Sequence, residues 1–172
     1  MKRLLLLRHA KSSRDNPRLQ DFDRPLAKRG REAAPEIGRH MRKAGWLPDL
    51  ILCSTAKRTQ ETAELVLAEL GGEAAAEVRF VDALYLAAPE QMLKEIHAVD
   101  GKVGTLLVVA HNPGTAQLAN HLAASGDKHA IHRLREKFPT AGLAVLEVDA
   151  GSWSKLERAK LIDFVTPKDI DD

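Results

Sequence analysis

Apolar positions along the chain form blocks that predict a succession of strands and helices. Three short runs, Leu4–Leu7, Leu50–Cys53 and Val103–Ala110, are apolar at nearly every position. Such runs are typical of strands that are covered on both faces of a parallel sheet. Between the runs, apolar residues recur every three or four positions, which is the spacing of amphipathic helices. The pattern therefore predicts an α/β fold on a mostly parallel sheet.

The remaining elements follow from the same periodicities and from turn residues. Helices are predicted around Ala34–Ala44, Ala63–Leu70, Pro89–Ile96 and Leu118–Leu122, and further strands at Val78–Val81, Leu143–Val148 and Leu161–Val165. Ser54 or Thr55 can cap the second of these helices. Residues 9–30 are polar and predict a long loop, and loops of this length in compact domains are usually functional. Residues 125–138 indicate only a short basic helix.

Length and composition fit one globular domain. The chain has 172 residues, of which 44% are hydrophobic and 29% charged, and these values exclude a disordered or fibrous protein. We expect one domain over residues 1–168 and a frayed tail over 169–172. No apolar run has the length of a membrane span or of a secretory signal. Cys53 is the single cysteine, which excludes an internal disulfide and favours the cytoplasm as its location.

Charge is unevenly distributed along the chain, although the net charge is only +2. Residues 1–60 contain 15 Lys and Arg against 6 Asp and Glu, whereas residues 61–101 contain 2 against 9. A basic segment in a near-neutral chain is consistent with an anionic ligand or with a solvated basic surface. Charge alone favours the solvated surface, and it does not distinguish phosphate from nucleic acid.

Two histidines and two arginines follow the predicted strands closely. Arg8 and His9 end the first strand, Arg58 follows the second, and His111 ends the long apolar strand. Ligands of open α/β sheets bind beyond the carboxyl ends of the strands, so we expect these side chains to meet at one edge. Guanidinium groups match phosphate oxygens, and a neutral imidazole is a competent nucleophile. The residues predict metal-free phosphoryl transfer through a phosphohistidine, with an additional acid for the leaving group.

The same segments resemble a known family. Leu4–Ser12 resembles the Arg-His-Gly signature of the histidine phosphatase superfamily, with Ala10 in place of the glycine. Asp23–Leu26, Ser54–Thr62 and Val109–Gly114 are similar to the small phosphohistidine phosphatases called SixA. The resemblance extends from residue 2 to near residue 120. It implies a phosphoglycerate-mutase-like three-layer sandwich, with a central sheet flanked by helices and no lid insertion over an open groove.

The resemblance also implies roles for individual residues. His9 would be the nucleophile that becomes phosphorylated, Arg8 and Arg58 would bind the phosphoryl oxygens, and His111 would stabilise the transition state. No metal and no cofactor would take part. The implied substrate is phosphohistidine on a signalling protein, and the alternative is a small phosphoester. We expect a monomer that binds neither nucleic acid nor membranes.

The general acid is where the sequence departs from better-known members of the superfamily, which have a glutamate after the third strand. Asp82 is the candidate at this place, but it could equally cap a helix or form a turn. Asp21 and Asp23 in the long loop are the other candidates. A phosphohistidine substrate would place less demand on an acid, because a protonated imidazole is already a good leaving group.

Functions of other classes fit the sequence less well. Neither His9 nor His111 belongs to a metal-ligand motif such as His-Glu-x-x-His. Cys53 lies one residue too close to Arg58 for a cysteine phosphatase, and it is interpreted as a small buried hydrophobe. The aromatic content of 4% offers little stacking surface for nucleic acid. A small-molecule phosphomonoesterase and a non-catalytic phosphate-binding module remain as alternatives.

Overall fold

A computed structural model describes residues 1–72 and 76–171 of the chain. The strands are β1 (Lys2–Arg8), β2 (Leu50–Ser54), β3 (Glu77–Val81), β4 (Thr105–Ala110), β5 (Ala123–Gly126), β6 (Leu143–Val148) and β7 (Ala159–Val165). The α-helices are α1 (Lys28–Ala44), α2 (Lys57–Glu69), α3 (Pro89–His97), α4 (Gly114–Leu122), α5 (Lys128–Glu136) and α6 (Pro167–Asp171). Short 3₁₀ helices lie at Asp21–Asp23, Asp82–Leu84 and Trp153–Lys155.

These strands form one sheet in the order β3-β2-β4-β1-β6-β7-β5. β1 is parallel to β4, and β2 is parallel to both β4 and β3. Only β6 runs antiparallel to its neighbours in the part of the sheet that the structure describes. The prediction of a mostly parallel central sheet is confirmed. Because β4 lies between β1 and β2 and is parallel to both, the carboxyl ends of these three strands lie side by side at one edge of the sheet.

Helices cover both faces of the sheet, as the continuous apolar runs predict. Leu5 and Leu7 of β1 pack in a core with residues of α1 and α2. Leu4 and Leu6 pack in a second core with residues of α3, α4 and α5. All four leucines are completely buried. The molecule is thus a three-layer sandwich with one core on each side of the sheet.

Some details differ from the sequence-based expectations, and one of them is that α1 begins at Lys28, inside the predicted loop of residues 9–30. The sequence does not predict β5, because the small residues of Ala123–Gly126 have no strand pattern; the segment pairs with β7 at the edge of the sheet. The expected cap of α2 is wrong: the helix begins after Ala56, without a side-chain cap. α6 extends to Asp171, and the Asp169 carboxylate accepts hydrogen bonds from Thr166. The expectation of a frayed tail over residues 169–172 stays a prediction. Residue 172 lies outside the described residues, and the domain boundary at residue 168 stays a prediction.

None of the helices within residues 1–72 and 76–171 is both long and apolar enough to cross a membrane.

Candidate active site

The carboxyl ends of β1, β4 and β2 bring the predicted residues to one cavity. Arg8 ends β1 and pairs with Ala110 at the end of β4, so His9 and His111 follow neighbouring strands. Their ring centroids are 5.4 Å apart. Arg58 reaches the same place from the first turn of α2. The cavity has a volume of about 300 Å³, and all four of these side chains line it.

The His9 ring is held as a neutral base. Only 7% of the residue is exposed, and its Nδ1 lies 2.7 Å from the carbonyl oxygen of Ala10. A carbonyl can only accept, so Nδ1 carries the hydrogen and Nε2 keeps its lone pair. Burial, together with the positive charges of Arg58 and Arg8, lowers the pKa of His9 to about 4 against the opposing hydrogen bond to Ala10. At neutral pH the ring is therefore uncharged, with Nε2 as an available nucleophile.

His111 is less exposed than His9, and its ring is bound through the other nitrogen, Nε2. The residue is 2% exposed, and its Nε2 lies 2.7 Å from Oγ of Ser54. Its Nδ1 is buried without a hydrogen-bond partner in the described part of the chain. Burial, together with the charges of Arg58 and of His9, lowers the pKa of His111 to about 3. This ring is also neutral at pH 7 and retains one unsatisfied nitrogen.

The two arginines give the cavity its positive charge. Arg8 donates from Nη1 to the carbonyl oxygen of Phe138 at 3.1 Å, while its buried Nε has no partner among the described residues. Burial, and then the charge of Arg58, lower the pKa of Arg8. Two guanidinium groups and an unpartnered N–H donor at one strand edge favour an anionic ligand with several acceptor oxygens.

Asp21 is the candidate acid that the structure brings to this cavity. Its Oδ2 accepts from Nη2 of Arg58 at 3.0 Å and from the hydroxyl of Tyr85 at 2.5 Å, and its Oδ1 accepts from Nη1 of Arg24 at 2.8 Å. Burial would raise the pKa of Asp21, but these hydrogen bonds and the charge of Arg58 outweigh it and lower the pKa to about 2. Asp21 is therefore ionised at neutral pH and acts as a counter-ion of Arg58.

The other two carboxylates do not line the cavity. Asp82 begins the 3₁₀ helix that follows β3, and its side chain is exposed. Asp23 is exposed at the end of the 3₁₀ helix that contains Asp21. Although Asp82 directly follows the third strand, its carboxylate does not line the cavity.

Sequence reasoning missed three residues of the site. Ser54 contacts His111, Tyr85 contacts Asp21, and Arg24 links Asp21 to the loop through a hydrogen bond from its Nε to the carbonyl oxygen of Ser13 at 3.1 Å. Ser54 and Arg24 lie in segments that the family resemblance includes. Tyr85 is the single tyrosine of the chain, and no periodicity indicates where its hydroxyl lies.

Two competing kinds of site find no support in the described residues. Within residues 1–72 and 76–171, no three His, Cys, Asp or Glu side chains are grouped so that they could hold a metal ion. Cys53 is buried, and burial raises the pKa of its thiol to about 12. A thiol with this pKa is protonated at neutral pH and is a poor nucleophile.

Comparison with known proteins adds relatives that match nearly the whole chain. The sequence profile of the histidine phosphatase superfamily (branch 1) matches residues 4–88. An uncharacterized protein of Mycobacterium tuberculosis is 44% identical over 166 residues, which are 94% of this chain and 100% of that protein. An uncharacterized chloroplastic protein of Arabidopsis thaliana is 34% identical over 161 residues, covering 90% of this chain and 70% of its own.

Solved structures with the same fold include proteins assigned as the phosphohistidine phosphatase SixA. The protein from Agrobacterium tumefaciens is 33% identical, with a TM-score of 0.81 over 96% of this chain and 98% of its own. The protein from Nakamurella multipartitia is 30% identical, with a TM-score of 0.83 over 96% of both chains. These two proteins are therefore similar to this chain in both sequence and fold over nearly its whole length.

Proposed function

The chain belongs to branch 1 of the histidine phosphatase superfamily, and from this membership we propose that it is a phosphatase that works through a covalent phosphohistidine on His9. We propose phosphohistidine of another protein as its substrate, with no metal in the reaction. The observation that carries this proposal is the neutral His9, whose Nδ1 is bound to Ala10 while its Nε2 is available beside two arginines.

In the first step, Nε2 of His9 attacks the phosphorus atom. The P–N bond to the substrate imidazole breaks, and its electron pair leaves with that imidazole. The N–H groups of Arg8 and Arg58 bind the phosphoryl oxygens and compensate their charge, which positions the group in line with His9. To meet the phosphoryl group, Arg58 exchanges its contacts with Asp21 for contacts with the substrate.

In the second step, a water molecule attacks the phosphorus atom of phosphorylated His9. The P–N bond to Nε2 breaks, inorganic phosphate forms, and the lone pair returns to His9. The hydrogen bond from Nδ1 to Ala10 keeps the ring in one orientation through both steps. The same cavity and the same two arginines therefore suit both half-reactions.

The state of Asp21 supports a phosphohistidine substrate over a phosphate ester. An alcohol leaving group needs a proton, and general acids work best when their pKa lies near the working pH. With a pKa lowered to about 2, Asp21 has no proton to give at neutral pH. A protonated imidazole leaves without this help, so the site suits cleavage of a P–N bond.

Exposed apolar side chains beside the cavity support a macromolecular substrate. Leu86 lines the cavity and is 54% exposed, and Phe22 is 37% exposed where its ring packs edge-on against Tyr85. Neighbouring exposed apolar groups are typical of surfaces that contact a protein. A small phosphoester that fills the cavity would leave Phe22, which does not line it, uncovered.

Phosphate release in excess EDTA tests the proposal. The substrates are a phosphohistidine-bearing peptide and p-nitrophenyl phosphate, and the proteins are wild type, His9→Ala and the control His132→Ala, which changes an exposed histidine. We expect wild type and His132→Ala to turn over the peptide faster than the ester. His9→Ala should lose turnover by more than ~10³-fold, because the nucleophile is absent. Acid-labile phosphate should be trapped on wild type and not on His9→Ala.

Other results would select the alternatives. Faster turnover of p-nitrophenyl phosphate would identify a small-molecule phosphomonoesterase. Binding of phosphate by both wild type and His9→Ala without turnover would identify a phosphate-binding module. Loss of activity in EDTA would show that a metal ion takes part.

A further inference from the structure

The hydroxyl group of Ser54 is a buried group that the reaction described above does not use. Ser54 ends β2 and is completely buried. Its Oγ lies 2.7 Å from Nε2 of His111 and 3.4 Å from the backbone nitrogen of Ala56. The Ala56 N–H can only donate, so Oγ accepts from it and the hydroxyl hydrogen remains available for another acceptor.

Hydrogen-bond accounting distinguishes the two neutral tautomers of His111. If Nε2 carried the hydrogen and donated to Ser54, the Ser54 hydroxyl hydrogen would be buried without an acceptor, and Nδ1 would also be buried without a donor. If the Ser54 hydroxyl donates to Nε2, the hydroxyl hydrogen and Nε2 are both satisfied, and among the described residues only the N–H group at Nδ1 of this pair lacks a partner. Each buried polar group without a partner costs about 1–3 kcal/mol. The second arrangement is therefore favoured.

We infer that Ser54 is a positioning residue: its hydroxyl donates to Nε2 of His111 and thereby holds the hydrogen of that ring on Nδ1, as a donor to the phosphoryl group. His111 lines the cavity next to His9, and its unpartnered nitrogen is the one that Ser54 does not occupy. A phosphoryl oxygen supplies the acceptor that Nδ1–H lacks among residues 1–72 and 76–171.

This assignment gives the two histidines opposite roles while both rings are neutral. The backbone of Ala10 accepts from Nδ1 of His9 and leaves a lone pair on Nε2 for attack. Ser54 donates to Nε2 of His111 and leaves a hydrogen on Nδ1 for donation. A nucleophilic nitrogen on His9 and a hydrogen-bond donor on His111 therefore lie at the same edge of the sheet, and neither imidazole has to be protonated. The catalytic part of the inference rests on the proposed function, whereas the tautomer of His111 does not.

The tautomer can be measured by NMR on protein labelled with ¹⁵N in its histidines. Long-range ¹H–¹⁵N correlations distinguish an Nδ1–H ring from an Nε2–H ring, and His111→Gln assigns the signals of His111. We expect Nδ1–H in wild type at pH 7.5, and a shift of that nitrogen signal when inorganic phosphate is added. In Ser54→Ala we expect the Nε2–H form or a mixture. Turnover of the phosphohistidine peptide should fall by up to ~10²- to 10³-fold in kcat, the range for loss of one preorganised donor, with a smaller change in KM.

Thr115→Val is the matched control, because it removes another completely buried hydroxyl next to the same residue. Thr115 Oγ1 donates to the backbone carbonyl of His111 and does not contact the ring, and the same carbonyl also accepts from the Thr115 backbone N–H. We expect Thr115→Val to keep the Nδ1–H tautomer and to change kcat less than ~5-fold, because the ring and its donor are untouched.

Several results would overturn the inference. An Nε2–H signal for His111 in wild type would do so, even if Ser54→Ala failed to fold. An unchanged tautomer in Ser54→Ala, or equal losses of kcat in Ser54→Ala and Thr115→Val, would leave Ser54 with a structural role alone. A changed tautomer with unchanged kcat would remove its catalytic role. If wild type turned over no substrate, the proposed function would fail while the NMR result still decided the tautomer.

Discussion

At the residue scale, Asp21→Asn tests whether the carboxylate in the cavity is an acid or a counter-ion. The substitution removes the negative charge that now pairs with Arg58 and keeps a side chain of the same shape. Asp21 is 45% exposed, and such pairs are worth up to about 1 kcal/mol. We therefore expect inorganic phosphate to bind about fivefold more tightly by calorimetry. Turnover of the phosphohistidine peptide should remain within about tenfold of wild type.

Asp82→Asn is the comparison for this experiment, because the exposed Asp82 lies outside the residues that line the cavity. We expect it to change neither phosphate binding nor turnover. A loss of turnover above ~10²-fold in Asp21→Asn would instead identify Asp21 as the general acid. The same loss in Asp82→Asn would restore the role that the position after the third strand predicts.

The residues of the candidate site divide into those that a sequence can predict and those that it cannot. Arg8, His9 and His111 follow apolar strands directly, and the parallel register of neighbouring strands then brings their ends together. The contacts of Ser54 and Tyr85 depend on side-chain direction over distances of a few ångströms. No apolar period encodes those directions, so their place in the site emerges only from the folded structure.

At the scale of secondary-structure elements, strands with continuous apolar runs are predictable because burial on both faces leaves no position for polar residues. The edge strand β5 is different, although the strand at the other edge, β3, lies close to its prediction at Val78–Val81. β5 consists of small residues, and in the described part of the sheet its one partner is β7, so its identity as a strand depends on a segment far along the chain. The sequence also predicts no helix at Asp82–Leu84, which forms a 3₁₀ helix that begins at Asp82.

The start of α4 provides a prediction at this scale. Gly114 is three residues after His111, and a Cβ atom there would overlap the carbonyl oxygen of Ala87 and lie 3.2 Å from Sδ of Met92. We expect Gly114→Ala to lower the free energy of unfolding by about 1–3 kcal/mol in urea titrations, as overpacking does. Turnover should also fall, because the displaced segment includes Leu86 in the cavity wall.

Gly101→Ala is the matched control, because nothing lies within 4 Å of a Cβ atom at that position. We expect it to change stability by less than about 0.5 kcal/mol. If Gly114→Ala were equally neutral, the close approach of α4 to the segment before α3 would not constrain the site.

At the scale of the whole molecule, two buried neutral histidines make stability depend on pH. The pKa values of His9 and His111 are lowered to about 4 and about 3, whereas an unfolded chain has histidine pKa values near 6.5. Between these values the unfolded state binds more protons than the folded state, so the free energy of unfolding rises with pH. Stability is therefore complete above about pH 6.5 and is lost as the pH falls toward about 4.

Urea unfolding at pH 7.5, 6.5, 5.5 and 4.5 measures this dependence, and we expect a loss of about 2–4 kcal/mol from pH 6.5 to pH 4.5. The double variant His9→Gln with His111→Gln removes both titrating groups, so its stability should change much less over the same range. His132→Gln changes an exposed histidine and should keep the wild-type slope. A wild-type stability that stayed constant down to pH 4.5 would mean that the folded protein binds these protons as readily as the unfolded chain. The pKa of His9 in the folded state would then lie near 6.5, so that burial would not be what keeps its ring neutral at pH 7.5.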